Sequence, residues 1–238
     1  MVAAEIVEPS AAVALVEQGA VVLDTRGALA WLAGHIPGAV RADWRIGTHG
    51  VTSGLLGEPD AVAAAFAALG VDDGKPVLVV GAWTAGWGEE GRVAWDLAWL
   101  GHPEVHVLAG GMDAWPGARH HLARPVTPGH FTARPRPELR ATRAQIEAGG
   151  FLLVDVREPD EFAGATRYGE ARGGHIPGAR SVPWRTLLAA SPDLPRDAAL
   201  VTYCTGGVRS AMAWLWLVNR GYPHVANYDG SWWEWSRG

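Results

Sequence analysis

Short runs of apolar, mostly β-branched residues recur along the chain, at 21–23, 77–80, 105–108, 152–154, 200–203 and 225–228. Between them, stretches such as 61–69, 92–100 and 210–219 place apolar residues at helical spacing. Strand and helix in alternation predict an α/β fold, with parallel sheets covered on both faces. Thr142 followed by Gln145 has the form of a capping box, and Gly221 stands where a helix C-terminus favours glycine. The pattern lapses over 118–137, which is rich in Pro, Arg and His and reads as an extended linker. The expected organisation is one domain over 1–117, a linker over 118–139 and a second domain over 140–238.

The two halves repeat each other. Gly34-His-Ile-Pro-Gly-Ala39 returns letter for letter as Gly174-His-Ile-Pro-Gly-Ala179, and a Trp follows each copy at equal spacing, Trp44 and Trp184. An apolar run closed by Asp-x-Arg precedes each copy, at Asp24 and Arg26 and at Asp155 and Arg157. Gly101 matches Gly221, Gly110 matches Gly230 and Trp115 matches Trp235, so insertions fall in loops of a duplicated framework. In this register 78–81 aligns with 200–203. The loops after these two runs differ: Ala82-Trp-Thr-Ala-Gly-Trp-Gly88 in one half, Cys204-Thr-Gly-Gly-Val-Arg-Ser210 in the other.

Composition narrows the function. Hydrophobic residues make up 48% and charged residues 19%, enough for a packed core. A net charge of −5 argues against nonspecific nucleic-acid binding, which needs a basic surface. The first residues lack the basic and apolar segments of a signal peptide, and no apolar run reaches membrane-spanning length, so a cytoplasmic protein without a membrane partner is expected. A single cysteine leaves no intramolecular disulfide and no zinc site of several thiolates.

That cysteine lies where a strand gives way to a helix, the place at which open α/β sheets bind ligands. Gly206 and Gly207 allow tight turns and close backbone approach. Successive N–H groups backed by a helix dipole would then stabilise an anion and lower the thiol from its free value of about 8.5. A thiolate or a persulfide fits such a nest. A small buried hydrophobe is the alternative, but a packing cysteine has no need of Thr205-Gly206-Gly207 behind it. Arg209 is expected to point at an anionic donor, and Ser210 to cap the helix.

Two copies of D-x-R with G-H-I-P-G-A, a cysteine in the second alone, and a closing G-S-W-x-E-W at Gly230 to Trp235 together resemble the tandem-domain rhodanese family of sulfurtransferases. The resemblance spans nearly the whole chain. It implies two rhodanese folds, an inactive first domain shaping the cleft, no cofactor, and a ping-pong reaction. Cys204 would take a sulfur from a donor, hold it as a persulfide and pass it to cyanide or a thiol, with Thr205, Gly206, Gly207, Val208, Arg209 and Ser210 around the substrate. Phosphatase relatives use C-x5-R, whereas four residues separate Cys204 from Arg209 here, a ring better suited to one sulfur.

The donor is less marked. Thiosulfate enzymes of animals carry basic residues where this chain has Thr205 and Gly206. Mercaptopyruvate enzymes share Gly207-Val208, but their hydroxyl is replaced by Gly206 and their donor-binding arginine by Glu161; Arg167, nearby, is a substitute. The remaining C-x4-R-S pattern makes thiosulfate the first expectation and 3-mercaptopyruvate the alternative. His35 is expected opposite the cysteine by the resemblance, although its presence in both halves as His35 and His175 favours fixing a turn. Asp24 with Arg26 and Asp155 with Arg157 are expected to form internal ion pairs at strand ends, with Arg157 also adding positive potential near the sulfur. Of thirteen tryptophans, Trp83 and Trp87 in the degenerate loop are candidates for the cleft wall, and the rest for packing. Adjacent His120 and His121 suit a solvated linker. From other functional classes stand a sulfur-carrier module docked on a protein acceptor, and a noncatalytic binding protein.

Overall fold

The computed structural model describes residues 3–50, 52–190 and 192–238. The first half contains β1 (Glu5–Val7), α1 (Pro9–Glu17), β2 (Val21–Asp24), α2 (Ala28–Leu32), β3 (Val40–Arg41), α3 (Pro59–Ala68), β4 (Val77–Val80), α4 (Glu89–Trp99) and β5 (Val105–Leu108). The second contains α5 (Arg143–Ala148), β6 (Leu152–Asp155), α6 (Pro159–Ala163), β7 (Arg180–Ser181), α7 (Trp184–Ala189), β8 (Leu200–Tyr203), α8 (Val208–Asn219), β9 (Val225–Asn227) and α9 (Ser231–Trp235). Every strand pair is parallel, in the orders β1-β5-β4-β2-β3 and β7-β6-β8-β9. No helix among the described residues is long and apolar enough to cross a membrane.

The continuous apolar runs follow from burial on both faces. In β4, Val77 and Val79 face one core while Leu78 and Val80 face another. The outer cores belong to one half each; the inner core is shared, with Val93, Trp95 and Leu97 of α4 packed together with Ala211, Met212 and Trp214 of α8. These two helices approach closely because α4 has a glycine at the crossing: a Cβ on Gly91 would lie 2.5 Å from the Cα of Met212. The capping box at Thr142 is present, its hydroxyl accepting from Gln145 N–H and the Gln145 side chain accepting from Thr142 N–H.

The joining segment is extended and exposed over 121–128, as expected, but it is tied down on either side of that stretch. Phe131 and Leu139 are buried in the inner core, and the N–H groups of Arg134 and Arg136 donate to the carbonyls of Leu100 and Trp99 at the end of α4. His120 exchanges backbone hydrogen bonds with His35, and a ring nitrogen of His121 meets the Leu32 carbonyl. A proline-rich segment can run extended yet be anchored wherever an apolar side chain finds a core.

Sheet register corrects the internal alignment by one residue. Asp24 pairs with Val80 and its counterpart Asp155 pairs with Tyr203, so the residue matching Cys204 is Gly81. The turns agree, since Met112 N–H donates to the Gly81 carbonyl as Trp232 N–H does to that of Cys204.

Candidate active site

Cys204 follows β8 directly, and α8 begins at Val208, two residues before the position expected. Gly207, in the left-handed region at φ 80°, is its N-cap. A side chain on Gly207 would collide with the Arg92 guanidinium, which reaches in from the first half, and one on Gly206 would run into the Trp233 ring. The two glycines let the loop be compressed from both sides. Ser210 is therefore not the cap; its hydroxyl, inside the first turn, donates to Cys204 Sγ at 3.6 Å.

The short helix α9 holds this loop from behind. Ser231 Oγ accepts the Cys204 N–H at 3.1 Å and donates to the Tyr228 carbonyl at 2.7 Å, while Trp232 and Trp233 N–H groups take the carbonyls of Cys204 and Thr205. With its carbonyls engaged outward, the loop is free to turn N–H groups toward the sulfur. Burial pushes the Cys204 thiol up, but the Arg209 charge, the Ser210 N–H and hydroxyl and the Gly206 N–H outweigh it, and the thiol ends below its ordinary value.

Cys204 is 1% exposed and lies in the wall of a cavity of about 350 Å³. Thr205, Gly206, Val208 and Arg209 share that wall, faced by Trp44, Trp87, Tyr168 and Trp233, with Arg45, Thr52 and Glu89 completing it. The first half thus supplies one side through the loop after β3 and the degenerate loop before α4.

Both terminal nitrogens of Arg209, in the cavity wall, are already engaged by protein acceptors. Its Nη1 donates to Glu161 Oε2 at 2.6 Å, and its Nη2 to Glu161 Oε1 and Thr205 Oγ1, each at 2.8 Å; Thr205 in turn donates to Glu161 at 2.8 Å. Burial raises the Glu161 carboxyl, but Arg209 and Thr205 outweigh that and leave it lowered, an ionised partner to the guanidinium. The rings of Trp87 and Tyr168 stand 5.5 and 5.9 Å from that guanidinium.

Four residues expected at the cleft lie elsewhere. Arg157 is fully buried behind β6, held by Asp155 and the Gly174 carbonyl. His35 is buried in the first half, its Nδ1 on the Trp31 carbonyl and its ring stacked on Trp31 at 3.9 Å. His175 repeats this on Phe162, so both histidines fix the same turn. Trp83 turns into the inner core, and Trp87 alone of the degenerate loop's tryptophans lines the cavity. Arg167, the substitute donor arginine, pairs with Asp160 on the surface. In each case a nearer partner captures the side chain before it can reach the sulfur.

The first half keeps the cradle but fills it. A Cβ at Gly81 would overlap the carboxylate of Glu90, whose Oε1 accepts the Trp83 N–H at 2.7 Å. Burial raises the Glu90 carboxyl to about 8. A carboxyl thus lies where a cysteine side chain would lie. Sequence reasoning misses Glu90, Ser231, Tyr168 and the clamping role of Glu161; of these, only Ser231 carries a signal, in the Gly-Ser-Trp motif beside the repeat.

Fold and site together define a tandem α/β protein with a nucleophilic thiol in one of two related cradles. A family model for the rhodanese-like domain matches residues 8–118 and again 138–237, and the chain belongs to that family. The sulfur carrier protein TtuD of Thermus thermophilus is 32% identical over 85% of this chain and 82% of its own. A thiosulfate sulfurtransferase of Corynebacterium glutamicum is 31% identical, over 90% of this chain and 81% of its own. SseA from Escherichia coli, placed by name among the 3-mercaptopyruvate sulfotransferases, superposes with a TM-score of 0.81 at 25% identity, covering 95% of this chain and 98% of that one. The chain is a sulfurtransferase.

Proposed function

We propose that Cys204 takes a sulfane sulfur from a donor of the thiosulfate type, in which an outer sulfur is bonded to an oxidised sulfur carrying either an oxyanion or an organic group, and passes it to a thiol or cyanide. The Cys204 thiolate attacks the outer sulfur of the donor; the S–S bond of thiosulfate breaks and sulfite leaves with the electron pair. The terminal sulfur of the resulting persulfide carries the negative charge in the loop. An acceptor thiolate or cyanide then attacks that sulfur, and the Cys204 thiolate departs. The supporting observation is the convergence of the Ser210 hydroxyl, loop N–H groups and the Arg209 charge on one thiol, which lowers its pKa at a cavity wall. Residues 140–238 carry the chemistry, 1–117 close the cleft without a nucleophile, and 118–139 join them. A lone reactive thiol also suits a reducing cytoplasm.

The second reading, a sulfur carrier serving a protein acceptor, is favoured by the likeness to TtuD. Incubation with thiosulfate or 3-mercaptopyruvate and then intact-mass measurement separates the two. Transfer from a small donor adds one sulfur atom to the protein and none to Cys204→Ser. No adduct from either donor favours the carrier.

A further inference from the structure

Thiosulfate is a dianion, and the group expected to meet it is already engaged. The Arg209 guanidinium has its Nη1 and Nη2 atoms on Glu161 and Thr205, with two aromatic rings at cation–π distance. Glu161, 1% exposed, lies beneath the cavity floor as an ionised carboxylate. Among the described residues, the charged side chains in the cavity wall are Arg45, Arg209 and Glu89. With Glu161 behind Arg209 the positive and negative charges cancel. The facing walls are indole and phenol rings from Trp44, Trp87, Tyr168 and Trp233, around about 350 Å³, a size typical of organic-ligand pockets and far larger than an inorganic ion.

We propose that Glu161 is a specificity-determining residue: by compensating Arg209 it sets the cavity to favour organic sulfur donors of low charge, with a flat apolar body, over inorganic dianions. The inference rests on sulfur transfer at Cys204 for its substrate class, but the electrostatic part stands by itself. An anion entering this cavity meets fixed side chains that sum to zero around the Cys204 thiolate, so the long-range attraction that would lower its KM is absent. A flat body instead gains contact with the rings. Sulfur delivery from an aromatic thiosulfonate takes the same course as from thiosulfate: the thiolate attacks the terminal sulfur, the S–S bond breaks, and a sulfinate leaves with the electron pair in place of sulfite.

The test compares wild type with Glu161→Gln, which keeps the shape and an acceptor for Arg209 while removing the negative charge. Two reagents read the potential at the sulfur without any sulfur transfer, iodoacetate as an anion and iodoacetamide as a neutral. Their rate ratio cancels changes in thiolate fraction. Loss of one negative charge next to the cavity is expected to raise the iodoacetate-to-iodoacetamide ratio about fivefold to tenfold. With donors, wild type is expected to use benzenethiosulfonate with a kcat/KM about tenfold or more above that for thiosulfate, and Glu161→Gln to narrow this gap through a lower thiosulfate KM. An unchanged alkylation ratio in a folded variant would overturn the compensation, and a wild type that prefers thiosulfate would overturn the donor class. If neither donor loads Cys204 the persulfide reading falls, while the alkylation ratio still decides the electrostatics. Should Glu161→Gln not fold, wild type alone decides: in a compensated cavity the alkylation ratio stays level or rises as salt screens the thiolate from iodoacetate, and a ratio that falls as salt rises overturns the proposal.

Discussion

Ser231 sits at φ 51°, in the left-handed region where a residue with a Cβ pays about 1–3 kcal/mol of strain. Its counterpart, Gly111, adopts φ 63° without that cost. The serine is retained where its hydroxyl bridges the Cys204 N–H and the Tyr228 carbonyl inside a buried turn. Ser231→Gly relieves strain but orphans a buried N–H, which costs about 1–3 kcal/mol, so a small net loss in urea stability is expected. Ser231→Ala keeps the strain and loses both bonds, and should be less stable than the glycine variant. A reversed order would remove the strain argument. Glu90 gives a prediction in pH. Burial raises its carboxyl from about 4.5 to about 8, so the folded state favours the protonated form. Its contribution is complete below about pH 4.5 and is lost as pH rises through about 8. Glu90→Gln is therefore expected to flatten the decline of the urea midpoint across that window; parallel curves for the two proteins would contradict this.

The α4–α8 crossing depends on the missing side chain of Gly91. In an exposed helix, glycine to alanine would stabilise by about 1 kcal/mol. Here the added Cβ would stand 2.5 Å from the Met212 Cα, too close without separating the helices. Gly91→Ala is expected to destabilise by about 1–3 kcal/mol in chemical denaturation, and a stabilising result would mean that the crossing opens freely. α8 also begins in the cysteine loop, so parting it from α4 would displace Arg92 from beneath Gly207 and slow Cys204 alkylation by iodoacetamide as well.

At the scale of the molecule the halves share one core. Trp95 of α4 and Trp214 of α8 are fully buried in it, and further links cross over, from Leu56 N–H to Asp229 and from Arg185 to the carbonyls of Thr84 and Gly86. Expressed alone, 138–238 would expose the inner face of α8, a large apolar patch of the kind that promotes aggregation. That fragment is expected to bind a hydrophobic dye and to lack a sharp near-ultraviolet dichroism signal; a monomeric, cooperatively unfolding fragment would show that the inner core is dispensable.

The residues alone carry the α/β class, the duplication, the strands at 77–80, 105–108 and 200–203 and the glycine cradle around Cys204. Each depends on local information: continuous apolar runs rich in β-branched residues, glycine where backbone must turn, and a repeat whose copies calibrate each other. The partners of charged groups were not local. Arg209 and Glu161 are 48 positions apart, and the same guanidinium would serve an anionic donor or a carboxylate equally well until folding brought one within 2.6 Å. Arg157 and His35 were held instead by near neighbours in the chain, Asp155 and Trp31, and Trp83 by the inner core. The one-residue shift that sets Gly81 opposite Cys204 came from strand register, which is decided when side chains choose a face of the sheet. Local chemistry in the sequence specifies which loop holds the nucleophile; the charge that surrounds it is specified only when distant elements pack.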